Sequence, residues 1–507
     1  MIKKFYILFI LLLSSLVSFS QVTNPEYIDL INQSEELAYN FRFDESRVLT
    51  LKALELKPNR PEALHQLAQT YLWFYLGSKN TAEFYKFIAY SDSSITKAEE
   101  LLDKNSKDVN LLYLLGNIYK LRAMAYGEKQ ETLSAFWATK KAVGYFDDVL
   151  DIDKTFYAAY AGKGIFEYAL SFVPGYLKWA LSITGLSSSQ KDGFNHLEKA
   201  YNKATGNRNE IEFHTAKLFD EYLADYQKSK KIMKGLVEKY PKNALFHYQY
   251  ALEFLKNKEL VKARTELDKV LEINHPKFAQ TNSFANLLKA DTYFYQNNFN
   301  KALEYYLNFL KTTKTIDYTG IASYRTAICY YFSGLDNNVE LFKRYLILAA
   351  NGNQDIEEDA FAGEKSHILL KFGLTHPHAE VIKIENMYHA GRYEDLIKAV
   401  KTNEASLKDI DLKALSSLYL AGAYIELNKL SEAKMILDSL LNLKIKKDLW
   451  IKPMALFYKA KIKFKMKDYQ RIEPPLKVAE EANEYTKRNL IQSYINGLRR
   501  KIKDLGY

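Results

Sequence analysis

The sequence predicts an all-α fold, a superhelical solenoid of antiparallel helix hairpins, and three observations predict it. One five-position pattern occurs three times at identical intervals: Ala251, Phe254, Leu260, Ala263 and Leu267; Ala290, Tyr293, Phe299, Ala302 and Tyr306; Ala421, Tyr424, Leu430, Ala433 and Leu437. A polar turn interrupts each copy at the same place, at Asn257-Lys258-Glu259, Gln296-Asn297-Asn298 and Asn428-Lys429. The 507 residues hold only ten prolines, and alternating β-branched runs are scarce, so nothing argues for a sheet.

The intervals have a physical origin. Residues three and four apart share one face of a helix. Two antiparallel helices approach closely only where their side chains are small. The first small residue of each copy therefore sits on the first helix of a hairpin, helix A. Ala263, Ala302 and Ala433 sit on the second, helix B, at the crossing. The aromatics fill the wedge toward the next hairpin.

At these positions the chain resembles the tetratricopeptide repeat, a helix hairpin of about 34 residues. Weaker copies extend the resemblance. Ser46, Ala53 and Pro58 match its helix-B positions, as do Tyr226, Ser229, Met233, Leu236 and Pro241. Leu115, Gly116 and Tyr119 read as a helix A; Met387, Tyr393, Leu396 and Val400 form a degenerate unit. Ala460, Tyr469, Leu476 and Ala479 form a terminal one, with Lys463 and Ile472 at positions that depart from the pattern. Between Gly116 and Ala251 the period is lost. The clear units recur at about 37 to 39 residues, which leaves room for about 10 to 12 hairpins.

The N-terminus reads as a secretory signal peptide over residues 1–20. Lys3 and Lys4 precede an apolar run from Phe5 to Val17, and Ser18 and Ser20 supply small residues for cleavage. The run is shorter than the roughly 20 residues that span a bilayer. The expected location is therefore the periplasm or the periphery of the outer membrane of a bacterium, with no transmembrane helix in the mature chain. One cysteine, Cys329, allows no intrachain disulfide, and its apolar neighbours suggest a buried small residue. The net charge of +10 admits nucleic acid, an anionic surface or simply solvated helix faces; export and interleaved acids argue against nucleic acid.

Catalytic motifs are missing. Gly162-Lys163-Gly164 lacks the third glycine and preceding strand of a dinucleotide loop, and reads as a helix-packing seam. His376 and His378, flanking Pro377, suggest an inter-helix turn or, less simply, part of a metal site without further ligands. The adjacent acidic pairs Glu99-Glu100 and Glu357-Glu358 point about 100° apart on a helix. The expectation is a non-enzyme with no cofactor and no metal.

An apolar segment near residues 165–195, with Pro174, Gly175 and Gly185, interrupts the repeats. Its Phe172, Tyr176 and Trp179 are candidates for contact with a membrane or ligand, unless the segment simply packs inside the array. Gly164, Ser171, Pro174, Gly185 and Gly193, followed by Tyr240-Pro241-Lys242-Asn243-Ala244-Leu245-Phe246, are similar to the middle of a eukaryotic tetratricopeptide family. That family is linked to the outer mitochondrial membrane and to clearance of inclusions. The likeness implies an all-helical array with an irregular insert and no catalytic residues.

Two helical segments are expected, at residues 21–350 and 351–507, divided by the polar stretch Asn351-Gly352-Asn353-Gln354-Asp355, which reads either as a hinge or as a loop. The tetratricopeptide resemblance implies a scaffold that binds envelope proteins in a groove of helix-A faces. Its candidate groove residues are Tyr248, Asp291, Phe294, Tyr324 and Tyr331. A glycan- or lipid-binding subunit of an outer-membrane system is the alternative.

Overall fold

The computed structural model describes residues 24–173, 181, 185–334, 338–482 and 485–507. The expected signal peptide, Tyr176 and Trp179 lie outside these residues. Among the described residues every regular element is helical, as the sequence predicts. The helices run in antiparallel pairs. The first four pairs are α1 Pro25–Tyr39 with α2 Phe43–Leu56, α3 Pro61–Ser78 with α4 Thr81–Leu102, α5 Val109–Glu128 with α6 Thr132–Ile152, and α7 Tyr157–Leu170 with α8 Gln190–Lys203. Next come α9 Arg208–Glu221 and α10 Tyr226–Lys239, α11 Ala244–Lys256 and α12 Leu260–Ile273, and α13 Ala279–Phe294 and α14 Phe299–Thr312. Then α15 Thr319–Ser333 packs with both α16 Asn338–Ala350 and α17 Glu357–Phe372. The last pairs are α18 His376–His389 with α19 Tyr393–Asn403, α20 Ile410–Glu426 with α21 Leu430–Leu441, and α22 Ile451–Lys465 with α23 Glu473–Glu481; α24 Arg488–Asp504 closes the chain.

One turn geometry recurs from end to end. A single residue at positive φ sits between the two helices of a pair: Phe41, Lys79, Gln130, Ala224, Lys258, Asn297, Gly334, Gly391, Asn428 and Lys467. In many of them the next amide donates back five residues, as from Arg42 to Leu37, Glu131 to Tyr126, Glu259 to Phe254, Arg392 to Met387 and Asp468 to Lys463. These bonds satisfy the carbonyls left over at a helix C-terminus and reverse the chain. The turn appears at Gln130, and a wider form at Ala224, where Asp225 donates six residues back to Phe219, so the hairpin persists where its side-chain signature does not.

The crossings are built from small residues. Ala251, Ala263, Ala290, Ala302, Ala421 and Ala433 are fully buried. Between α5 and α7 the Phe146 ring of α6 lies against Gly116 and Gly162; a Cβ on Gly116 would fall 2.7 Å from it. Gly164 and Gly193 bring the backbones of α7 and α8 together, where a Cβ on either would meet the other's carbonyl at 2.6–2.7 Å. Gly162 and Gly164 thus serve the helix seam that their spacing suggests.

The chain forms two compact units. The first comprises residues up to Leu218 with Lys228–Tyr250 and Asp268–Asn282; the second comprises Phe219–Gln227, Ala251–Leu267 and Ser283–Tyr507. Helices α9 to α13 thus contribute different ends to different units. The Asn351–Asp355 stretch lies within the second, as a loop between α16 and α17. There Asn353 donates to Asp317 at 2.6 Å, and Gly352 sits against the backbone of Gly320. Cys329 is fully buried.

Candidate functional site

In the first unit, helix-A faces converge on a buried polar interior. Glu35 comes from α1, His65 and Gln66 from α3, Asn117 and Lys120 from α5, and Glu210 and His214 from α9; none is more than 6% exposed. Lys120 and Glu210 form an ion pair, with 3% and 1% of their side chains exposed. The loop residue Asn207 donates to Glu210, and to the Tyr113 hydroxyl at 3.1 Å. His214 Nε2 lies 3.9 Å from Glu210.

This interior is short of partners. Both ring nitrogens of His65, Gln66 Nε2, Trp73 Nε1, Asn117 Oδ1, Asn207 Oδ1 and His214 Nε2 are buried without a hydrogen bond among the described residues. Each such group costs about 1–3 kcal/mol. Burial, then the nearby Lys120 charge, pulls His65 down to about 3, so it is neutral. Burial also lowers His214, with Lys217 and Lys120 adding to the effect. Native interiors leave few polar groups unpaired, so each of these calls for an explanation.

The second unit's helix-A faces are polar too, and several of their charged groups are paired. Asp291 accepts hydrogen bonds from Tyr306 at 2.6 Å and from Arg325, whose guanidinium also reaches the Tyr295 hydroxyl at 3.1 Å. Glu385 accepts from Tyr419 and faces Lys487 and His389, each at 3.9 Å. Burial opposes its ionisation, but these partners outweigh it and hold the carboxyl well below the usual range. Lys487 also lies over the rings of Trp450 at 3.9 Å and Phe361 at 4.4 Å. Lys258 stands over Tyr388 at 3.6 Å and donates to Tyr393 at 2.9 Å; burial pulls its amine down to about 7.

The residues expected to line a groove sit differently. Tyr248, Asp291, Phe294 and Tyr324 are buried, between 5% and 9% exposed. Asp291 is spent on Arg325 and Tyr306, and Phe294 packs on Phe299 and Tyr306 with ring centroids 5.6 and 6.1 Å away. Tyr331 is 36% exposed, edge-on to Phe332 and close to Phe342. Phe172 is half-buried, edge-on to Tyr168 at 5.2 Å. Within the second unit, Asp291, Phe294 and Tyr324 are buried and Tyr331 is exposed, so these four do not line one site. His376 and His378 open α18 rather than forming a turn, with Pro377 in the first helical turn, where its missing N–H costs nothing. Burial lowers His378 to about 4. Among the described residues no group of three His, Cys, Asp or Glu is placed to hold a metal, and no helix is long and apolar enough to cross a membrane.

Asp359 of α17 gives the second unit a pH dependence. Its Oδ1 accepts the Ile321 amide at 2.8 Å, while Oδ2 is buried without a partner. Burial raises the carboxyl from 3.8 to about 7, against the backbone donors that favour its charge. The folded carboxyl titrates above the unfolded one. Its contribution is therefore complete below about pH 4 and is lost as the pH rises through about 7. Asp359→Asn keeps the acceptor and removes the titration. In thermal melts the variant is expected to match the wild type near pH 4 and to exceed it at pH 8, by on the order of 1–3 kcal/mol.

No protein-family model and no curated protein matches this chain. Several solved structures are similar to it. Yeast Tom70 aligns at 13% identity over 91% of this chain and 93% of its own, with a TM-score of 0.32. Human IFIT1, as a dimer with PPP-AAAA, aligns at 13% over 84% and 96%, with a TM-score of 0.33. A tetratricopeptide repeat protein from Parabacteroides merdae ATCC 43184 aligns at 14% over 64% and 100%, with a TM-score of 0.27. At such identities the likeness concerns fold alone. The hairpins themselves, with their shared turn and small-residue crossings, make an all-helical hairpin-repeat fold that resembles the tetratricopeptide repeat.

Proposed function

We propose that this chain is a non-enzymatic scaffold that binds proteins of the bacterial cell envelope, in the periplasm or at the periphery of the outer membrane. The observation that carries the binding role is the row of unpartnered polar side chains on the helix-A faces of the first unit. A fold that needed only stability would place apolar residues at His65 and Gln66, between Leu64 and Leu67. These atoms are closed to solvent, so a partner reaches them only by opening the helix-A faces; the desolvation cost it then recovers is specificity. The envelope location is supported by the N-terminal charge and apolar pattern of the sequence.

The test is capture of the tagged protein from native envelopes after mild crosslinking, followed by mass spectrometry. One or a few envelope proteins in near-stoichiometric yield are expected. Capture that brings down no protein would overturn the scaffold reading.

A further inference from the structure

We propose that α24 occupies, in cis, a groove of the second unit that takes an amphipathic, lysine-bearing helix of a partner protein. The first unit's polar interior plays no part in it. A helix that only closed a repeat array would cover the last hairpin and nothing else. α24 does cover that hairpin: Tyr494 stacks on Phe457 of α22 at 5.3 Å, and Arg499 pairs with Glu473 and Glu480 of α23 at 2.6 and 3.0 Å. It also reaches far back along the chain. Lys487, just before the helix, lies 3.9 Å from Glu385 of α18, and the Asn489 amide donates to Glu357 of α17 at 3.3 Å. At Gly497 its backbone meets the turn between α9 and α10, which belongs to the same unit; a Cβ there would overlap the Leu223 carbonyl.

The groove beneath α24 selects a lysine. The Lys487 ammonium sits over the rings of Trp450 and Phe361, whose faces attract a cation. The other cations that face it have carboxylates of their own, Lys365 in Asp448 and Arg325 in Asp291. Glu385 therefore takes its ammonium from α24, in addition to the Tyr419 hydroxyl and His389. A cap has no need of a buried ion pair, because apolar residues close a seam without the desolvation cost. A carboxylate beside two aromatic rings instead reads the helix laid over it, and an acidic helix would be repelled by Glu385 and Glu357.

Apolar anchors follow the lysine at helical intervals. Ile491, Ile495 and Leu498 stand four, eight and eleven residues after Lys487, and all three are buried. This is the spacing by which an amphipathic helix lies in a groove. The other buried positions of α24 are Ser493 and Gly497, so few apolar side chains hold it. The Arg499 pairs along its edge are partly exposed and contribute little. A helix held in this way opens more readily than the hairpins below it.

The experiment compares the groove with α24 seated and displaced. The probe is a fluorescein-labelled peptide of residues 486–507, standing in for the partner's helix, added to the full chain and followed by anisotropy. Gly497→Leu forces α24 off the Leu223 carbonyl. Ile491→Asp with Ile495→Asp puts carboxylates on its buried face. Both variants leave the groove's own residues unchanged. Wild type is expected to bind the peptide at least about tenfold more weakly than either variant, because its groove is open only a fraction of the time. A Lys487→Glu peptide is expected to bind the variants at least about tenfold more weakly than the native peptide. Hydrogen exchange on the wild type needs no variant: the α24 amides are expected to exchange at least about tenfold faster than those of α20 and α22. Exchange of α24 only together with α20 and α22, or loss of those helices from both variants, would make α24 an integral part of the fold and overturn the proposal. So would equal affinity for wild type and both variants, or no binding to either variant. A Lys487→Glu peptide that binds as well as the native one would overturn the choice of a lysine-bearing partner.

Discussion

Phe146→Ala is expected to lower stability by about 3–5 kcal/mol in chemical denaturation, the range for deleting a fully buried phenylalanine. Phe146 has no exposed surface and lies between glycines of two other helices, so no flexible side chain stands ready to fill the space. The glycines make the account testable beyond the single change. Gly162→Ala alone places a methyl group inside the Phe146 ring and destabilises. In the Phe146→Ala background the same methyl enters the cavity and costs little or nothing. The two changes should therefore couple strongly, by roughly 1–3 kcal/mol. Additive effects would mean that Phe146 does not occupy this seam.

How much of this was legible in the sequence differs between the two units. Where all five positions of the pattern are filled, as from Ala251 to Leu267, small and aromatic residues report the crossing directly, and the alanines are fully buried as read. Between Gly116 and Ala251 the crossing is made differently. One aromatic, Phe146, is received by Gly116 and Gly162 instead of an alanine facing an alanine. The helix A at Gly116 and the seam at Gly162 were readable, but nothing in the local spacing ties them to Phe146.

The polar interior was hidden for the same reason. His65, Asn117 and His214 look scattered along the chain because the register that aligns them is set by those irregular hairpins. A usable signal did exist. His65-Gln66 and Asn117 interrupt apolar runs at positions where a core-facing helix would keep them apolar. Of the groove candidates in the second unit, Asp291, Phe294 and Tyr324 are buried because that unit covers its helix-A faces with its own side chains, Asp291 with Arg325 among them, whereas Tyr331 is exposed.

Lys120→Met is expected to cost about 3–5 kcal/mol, because it leaves the buried Glu210 carboxylate with no cation. Adding Glu210→Leu is expected to restore stability to within about 1 kcal/mol of wild type or above it, since well-packed apolar residues replace a buried pair without desolvation cost. His214 makes the single variant pH-dependent. In the wild type, burial and the Lys217 and Lys120 charges keep it neutral. Without Lys120, the Glu210 charge 3.9 Å away favours its protonation, so its folded pKa rises. Burial and Lys217 still hold that pKa below the unfolded one, so the rise shows only as a smaller penalty at low pH than in the wild type. Lys120→Met should thus be less damaging at pH 5 than at pH 8 in urea titrations. A deficit that does not vary with pH would exclude His214 as the compensating group.

The central claim is that the first unit gives up stability to keep a polar recognition surface. The most direct measurement pairs a thermal melt with envelope capture for the double variant His65→Leu, Gln66→Leu. Removing buried groups without partners should raise stability by about 1–3 kcal/mol. The same variant should recover its envelope partners at a tenth or less of the wild-type yield. Capture at wild-type yield, or a variant no more stable than wild type, would contradict the claim.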